Sequence, residues 1–141
     1  MQGVFILRKI IVALSAILLV ICLWFSVTPV FFRCTDSLEI SLGNSSSAKL
    51  VRVTALESLF INNIQGESFK VEVDKFDFNN FIKEFNASVV LVEKTEQGVG
   101  YYAYSPTIRY KESIKGRTVN LHIFIAEKEV TVGTPIIYGG F

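Results

Sequence analysis

The chain has 141 residues, half of them hydrophobic, and a formal net charge of +1, which allows one domain plus an appendage. Twelve of the 14 basic side chains and all 13 acidic ones lie beyond Lys9. The body of the protein is therefore close to neutral and lacks the basic face with which a nucleic-acid binder neutralises phosphates. The two cysteines, Cys22 and Cys34, leave the region beyond them without an internal disulfide or a thiolate metal site.

Between Lys9 and Arg33 run 23 uncharged residues, Ile10 to Phe32. As a helix rising about 1.5 Å per residue they span roughly 35 Å, enough to cross a hydrocarbon core of ~30 Å. Fifteen of them are Ile, Leu, Val or Phe, each favouring insertion by about 0.3–0.6 kcal/mol. Pro29 falls in the last turns, where a kink is tolerated. Arg8 and Lys9 precede the run, whereas Arg33 is answered by Asp36 and Glu39. The positive-inside rule then predicts a cytoplasmic N-terminus over residues 1–9, a transmembrane anchor over 10–32 and an extracytoplasmic domain over 33–141. A cleaved signal peptide is the competing reading. Its apolar region runs about 7–15 residues and ends in small residues. Here the run is longer, and its best small pair, Ser26 and Thr28, is followed at once by Pro29. Cys34 reads either as a link between two protomers or as a solitary thiol.

Past the anchor the chain alternates like a sheet. Leu38, Ile40 and Leu42 share one side of a strand, residues 43–48 (GNSSSA) form a polar turn, and KLVRV (49–53) returns. SLFINN (58–63) and ESFKVEV (67–73) read as a second pair joined near Gln65-Gly66, with Phe69, Val71 and Val73 inward and Lys70 and Glu72 outward. DFNNFIKEFN (77–86) is the one amphipathic helix. Phe78, Phe81, Ile82 and Phe85 make a single stripe, Asp77 is placed to cap the start, and Asn86 suits the left-handed residue that ends it. So many phenylalanines on one stripe imply packing across a sheet, each contributing ~1.5–3 kcal/mol when fully buried.

Strands resume with SVVLVEK (88–94), a continuous apolar run, and return through VGYYAYS (99–105). An excursion follows over 105–117, then TVNLHIFIA (118–126) with Val119, Leu121, Ile123 and Ile125 on one side. VTVGTPII (130–137) is the last strand, broken by Gly133 and Pro135. The predicted fold class is α+β: a transmembrane helix, then a small antiparallel sheet of six or seven strands with one amphipathic helix packed across it. An apolar ending such as GTPIIYGGF reads as a terminal strand pinned to the sheet edge, in preference to an exposed tail that a partner recognises.

Chemistry-bearing residues are sparse. His122, the only histidine, lies between Leu121 and Ile123, and a lone strand histidine is more often structural than catalytic. Asp74/Asp77 and Glu127/Glu129 sit at a cap and a turn and do not group like metal ligands. No catalytic residue, metal ligand or cofactor site is predicted, and the chain is read as a non-enzyme. Two features suit a binding surface. Tyr102 and Tyr104 share a face opposite Tyr101, offering rings that can stack on a sugar or a protein. Arg109, Lys111, Lys115 and Arg117 form a basic loop able to meet anionic polymers or headgroups. The plainer alternative packs the tyrosines against the helix and leaves the loop a solvated hairpin.

The segments FIKEFNASVV, VGYYAYSP, VNLHIFIA and EVTVGTPII, in that order and spacing, resemble the C-terminal region of the YwmB-like family over about residues 74–141. The resemblance implies an extracytoplasmic protein of a spore-forming Gram-positive bacterium, with a fold loosely like TATA-box-binding domains. It transfers no catalytic residue and no ligand. The expectation is a single-pass protein of the cell membrane whose outer domain is a binding or assembly module in envelope or sporulation-related work. Its implied partners are the bilayer through residues 10–32 and an envelope protein or anionic wall polymer, with no nucleic acid and no cofactor. The alternative is an enzyme or enzyme accessory acting on cell-wall material, which needs ionisable groups converging in a cleft.

Overall fold

The computed structural model describes residues 2–27, 32, 38–43, 49–58, 60, 61 and 63–138. Pro29, Cys34, the polar turn at 44–48 and the closing residues 139–141 lie outside them. Helix α1 (Gln2–Val27) contains the stretch Ile6–Leu23, long and apolar enough to cross a membrane and nowhere buried against the rest of the chain. Phe32, read from the sequence as the last residue of that apolar run, sits elsewhere. It is 5% exposed in the core of the domain, edge-on to Phe69 with ring centroids 4.9 Å apart, and its amide donates to Glu67 Oε2 at 3.0 Å. The domain therefore begins by Phe32. A phenylalanine that can fill an aromatic core and satisfy its amide there is sequestered from water as fully as one in lipid.

The strands β1 (Leu38–Ser41), β2 (Leu50–Val53), β3 (Gly66–Glu72), β4 (Ser88–Lys94), β5 (Gly98–Tyr104), β8 (Leu121–Ala126) and β9 (Glu129–Thr134) form one antiparallel sheet in the order β2-β1-β3-β9-β8-β5-β4. Between β5 and β8 a small hairpin, β6 (Glu112–Ile114) and β7 (Arg117–Val119), stands apart. The predicted helix is α3 (Phe78–Glu84), and its caps are those read from the sequence. Asp77 accepts from the Asn80 amide at 3.0 Å, and Asn86 takes a left-handed φ of 46° just past the C-terminus. Phe78, Phe81, Ile82 and Phe85 face the sheet, onto which Leu38, Ile40, Phe69, Val71, Leu121, Ile123, Val130 and Val132 project, joined there by Phe32. The fold is α+β, as expected.

Four local expectations change, and the β4 run takes a place in the sheet that the sequence left open. SLFINN is not a strand: a one-turn helix, α2 (Ala55–Ser58), follows β2, and the chain climbs back to Gly66 with Ile61 and Ile64 packed on the core and Phe60 79% exposed. Glu57 stabilises that turn by accepting from Thr54, so local capping outweighs the apolar alternation. Leu42 lies past the end of β1 and is exposed, no longer sharing the side of Leu38 and Ile40. The run TVNLHIFIA is two strands, β7 and β8, parted at Asn120. The apolar run of β4 is an edge strand: with one neighbour only, Val89 and Val92 remain 42% and 47% exposed.

The fourth changed expectation is the closing peptide. β9 is the middle strand of the seven, not an edge, because it pairs with β3 on one side and β8 on the other. After a cis Thr134-Pro135 bond the chain turns back over the sheet face opposite α3. Ile137 settles on Gly133 and Tyr138 on Gly66, where an added Cβ would meet them at 2.8 and 2.7 Å. Glycine is required at both positions because the backbone and the returning side chains touch directly. Tyr138 is buried, and burial first, then the charge of Glu112 and a hydrogen bond to it, raise its hydroxyl above the ordinary tyrosine value.

Candidate binding surface

β5 is paired on both sides, so its alternation is enforced. Tyr101 points to α3 and packs on Phe78 with ring centroids 4.7 Å apart. Tyr102 and Tyr104 point to the opposite face and remain half-buried. The Tyr102 ring lies flat on the His122 imidazole, its cross-strand partner, at 4.1 Å and 16°. Its hydroxyl donates to Glu93 Oε2 at 3.2 Å. Burial first, then the Glu93 carboxylate, raises the Tyr102 hydroxyl above its ordinary value.

The basic loop meets this aromatic face through the β6–β7 hairpin. Lys115 and Gly116 both adopt positive φ, 49° and 75°, the signature of the two-residue turn whose twist suits a hairpin. From that turn Lys115 Nζ reaches Glu93 Oε1 at 3.7 Å. Arg117 donates to the Val90 carbonyl at 2.6 Å, at the point where the β4–β5 register shifts between Val89 and Leu91. Lys111 Nζ stands 5.7 Å above the Tyr104 ring, within cation–π range. Tyr102, Tyr104, Lys111 and Lys115 thus form one surface, with Glu93 beneath it as counter-charge. The Lys115–Glu93 pair is long and its side chains are 67% and 47% exposed. An exposed pair of this kind contributes little, so Lys115 can exchange Glu93 for an incoming anion at small cost.

Two predicted binding residues belong elsewhere. Arg117 is engaged on the β4 backbone, donating to the Val90 carbonyl where the register of β4 and β5 shifts. Arg109 is exposed beside Tyr110, whose hydroxyl donates to the Ile64 carbonyl at 3.4 Å on the α3 side. The Tyr110 hydroxyl is pushed up to about 12, by burial first and then by the Glu67 carboxylate, with Arg109 opposing.

Asn120, missed in the sequence as one polar residue in an apolar run, organises the loop. It is fully buried; its Nδ2 donates to the carbonyls of Ser105 and Ile108 at 2.7 and 3.0 Å, and its Oδ1 accepts from the Ser105 amide at 2.7 Å. Ser105 Oγ in turn donates to the Phe85 carbonyl at 2.5 Å, which ties the loop to the end of α3. Glu67 was missed too. Its position two residues before Phe69 places it on the core face, a signal available from the alternation.

His122 is buried between Tyr102 and the returning chain, whose Ile137 amide donates to Nδ1 at 3.4 Å. Burial lowers its pKa from the ordinary 6.5 to about 4, the Glu93 charge pulling weakly the other way. The imidazole is neutral near pH 7. Because the unfolded state takes up a proton near pH 6.5 that the folded state refuses until about 4, this stability is complete above 6.5 and drains away as pH falls towards 4. At pH 5 the loss is on the order of 2 kcal/mol. Denaturation midpoints at pH 7 and 5 should therefore separate less in His122→Gln than in the wild type; equal separations refute a neutral buried imidazole.

Among the described residues no three His, Cys, Asp or Glu side chains gather as a metal site would require. An open hollow of about 460 Å³ at the other end of the sheet, between Lys70, Glu72, Lys75, Lys128 and Glu129, is walled by the ion pairs Lys70–Glu129 and Lys75–Glu72 at 2.8 and 2.7 Å. Among the described residues of the lining, the two pairs leave Lys128 as the one further cation, with no aromatic ring beside it, which makes the tyrosine–lysine face the better candidate. No protein-family model, curated protein or solved structure matches the chain.

Proposed function

We propose that this chain is a membrane-anchored binding module, with α1 as a single-pass anchor, the N-terminus in the cytoplasm and the sheet domain outside. Its ligand in this reading is an anionic, sugar-containing polymer of the cell envelope. The observation that carries it is the meeting of Tyr102 and Tyr104 with Lys111 and Lys115 on one face. Half-exposed rings stack on pyranose faces while ammonium groups take the negative charges, a pairing that needs no deep cleft. The near-neutral charge of the rest of the domain confines attraction to this patch. The resemblance to YwmB-like proteins is in keeping with envelope or sporulation-related work.

Binding is favoured over wall-directed catalysis because His122 is closed off by Tyr102 and Ile137 and accepts a backbone amide on Nδ1. The test is retention of full-length protein in detergent micelles on wall sacculi that keep or lack their anionic polymer. Tyr104→Ala with Lys111→Ala should weaken retention about tenfold, the equivalent of ~1.4 kcal/mol from a lost ring and cation. Retention unchanged by the double substitution, or equal on stripped walls, removes this reading.

A further inference from the structure

The distance between α1 and the domain core limits how far the domain can stand from a bilayer. Arg8 and Lys9 keep to the inner interface, and about 20 helical residues at ~1.5 Å each fill a ~30 Å hydrocarbon core. The outer edge of the hydrocarbon then falls near residue 29 of the sequence. Phe32 comes three residues later, within about 10 Å of that edge even on a fully extended chain, and tilting the helix brings it nearer. Phe32 is no part of a tether: it is packed on Phe69 and Phe85, with its amide on Glu67. The headgroup layer is itself ~5–8 Å deep. A domain whose core begins there touches the membrane.

Strand register says which end does so. Glu67 lies opposite Thr134 and beside Gly66, which pairs with Ser41, itself opposite Leu50. This anchor end of the sheet carries Leu42 and Leu50, each 38% exposed, with the Leu42 amide bonded to the Lys49 carbonyl. Phe60, 79% exposed, lies away from this end, its amide bonded to the Glu57 carbonyl of the turn that follows Val53, the partner of Leu38. Lys49 and Arg109 supply exposed cations at the same end, Arg109 following the Ile108 carbonyl that Asn120 holds. The opposite end has the turn residues Glu72, Asp74, Glu96, Glu127 and Glu129 together with Lys75, Lys94 and Lys128, and two of its acids are already paired, Glu72 with Lys75 and Glu129 with Lys70.

We propose that the domain docks on the outer leaflet by its anchor end, placing Leu42 and Leu50 at the headgroup–acyl boundary and Lys49 and Arg109 on lipid phosphates. This rests on α1 being a retained anchor. The turns of mixed charge at the other end then face away from the membrane, and Arg109 acquires a lipid contact in place of the polymer contact predicted for it.

The experiment uses the full chain with Cys22→Ser and Cys34→Ser, reconstituted in vesicles of three parts phosphatidylcholine to one part phosphatidylglycerol. An environment-sensitive fluorophore is attached in turn at Ile17→Cys, Leu42→Cys, Leu50→Cys and Lys128→Cys, and nitroxides near the top and near the end of the acyl chain serve as the shallow and the deep quencher. Quenching of about twofold or more is expected at Ile17 from the deep quencher and at Leu42 and Leu50, at the headgroup–acyl boundary, from the shallow one, with little at Lys128 from either. Quenching at Ile17 with none at Leu42 or Leu50 overturns the docking and leaves the anchor standing. No quenching at Ile17 removes the anchor itself and the docking with it. Two separate leucine sites guard against one substitution disturbing the fold.

Discussion

Replacing Phe32 with alanine should destabilise the sheet domain by about 3–5 kcal/mol, the range for a buried phenylalanine whose cavity cannot collapse. The ring fills the space between Phe69 and Phe85, and the fixed backbones of β3 and α3 hold that space open. Phe60→Ala is the matched control. At 79% exposure it should move the midpoint by no more than about 0.5 kcal/mol. Urea unfolding of the full chain in micelles, followed by the circular dichroism of the sheet, reads both. Equal midpoints for Phe32→Ala and wild type would return Phe32 to the apolar run before it and undo the short spacing between anchor and domain.

The second large effect is expected at Asn120. Alanine there strands the Ser105 amide and the carbonyls of Ser105 and Ile108 in a site closed to water. Each such group costs about 1–3 kcal/mol, so a total of ~3–5 kcal/mol follows after partial relaxation. The damage should be local before it is global. Hydrogen exchange at the Ser105 amide and proteolysis between residues 105 and 117 should quicken under conditions where β8 and β9 remain protected. Asn120→Asp keeps the acceptor but loses both donors and adds a charge, so it should not rescue. A variant with wild-type exchange at Ser105 would show that the loop carrying Arg109 and Lys111 is held by something else.

Local patterns carried well from sequence to fold wherever the deciding interactions lie within one turn or one strand. The α3 stripe, the Asp77 cap and the left-handed Asn86 depend on neighbours three or four residues away. The alternation of Phe69, Val71 and Val73 against Lys70 and Glu72 follows from the pleat alone. Burial of the β4 run could not be read in the same way, because an apolar stretch looks alike at the centre of a sheet and at its rim. For the same reason β9, last in the chain, gave no sign of being central. The two binding features appeared separate because Tyr102 lies on β5 and Lys115, 13 positions on, in the turn of the β6–β7 hairpin, while Glu93, which touches both, lies on β4.

By itself the sequence determined a long uncharged apolar helix at the N-terminus, one amphipathic helix, alternating strands and a near-neutral body, since each is a property of composition or short period. Tertiary structure alone decided that Phe32 belongs to the domain core, that Ile137 and Tyr138 fold back over Gly133 and Gly66, and that Arg117 serves the backbone while Lys111 and Lys115 border the tyrosines. These outcomes depend on which strands become neighbours. That choice is made by the summed packing of residues distant in the chain, and no single segment contains it.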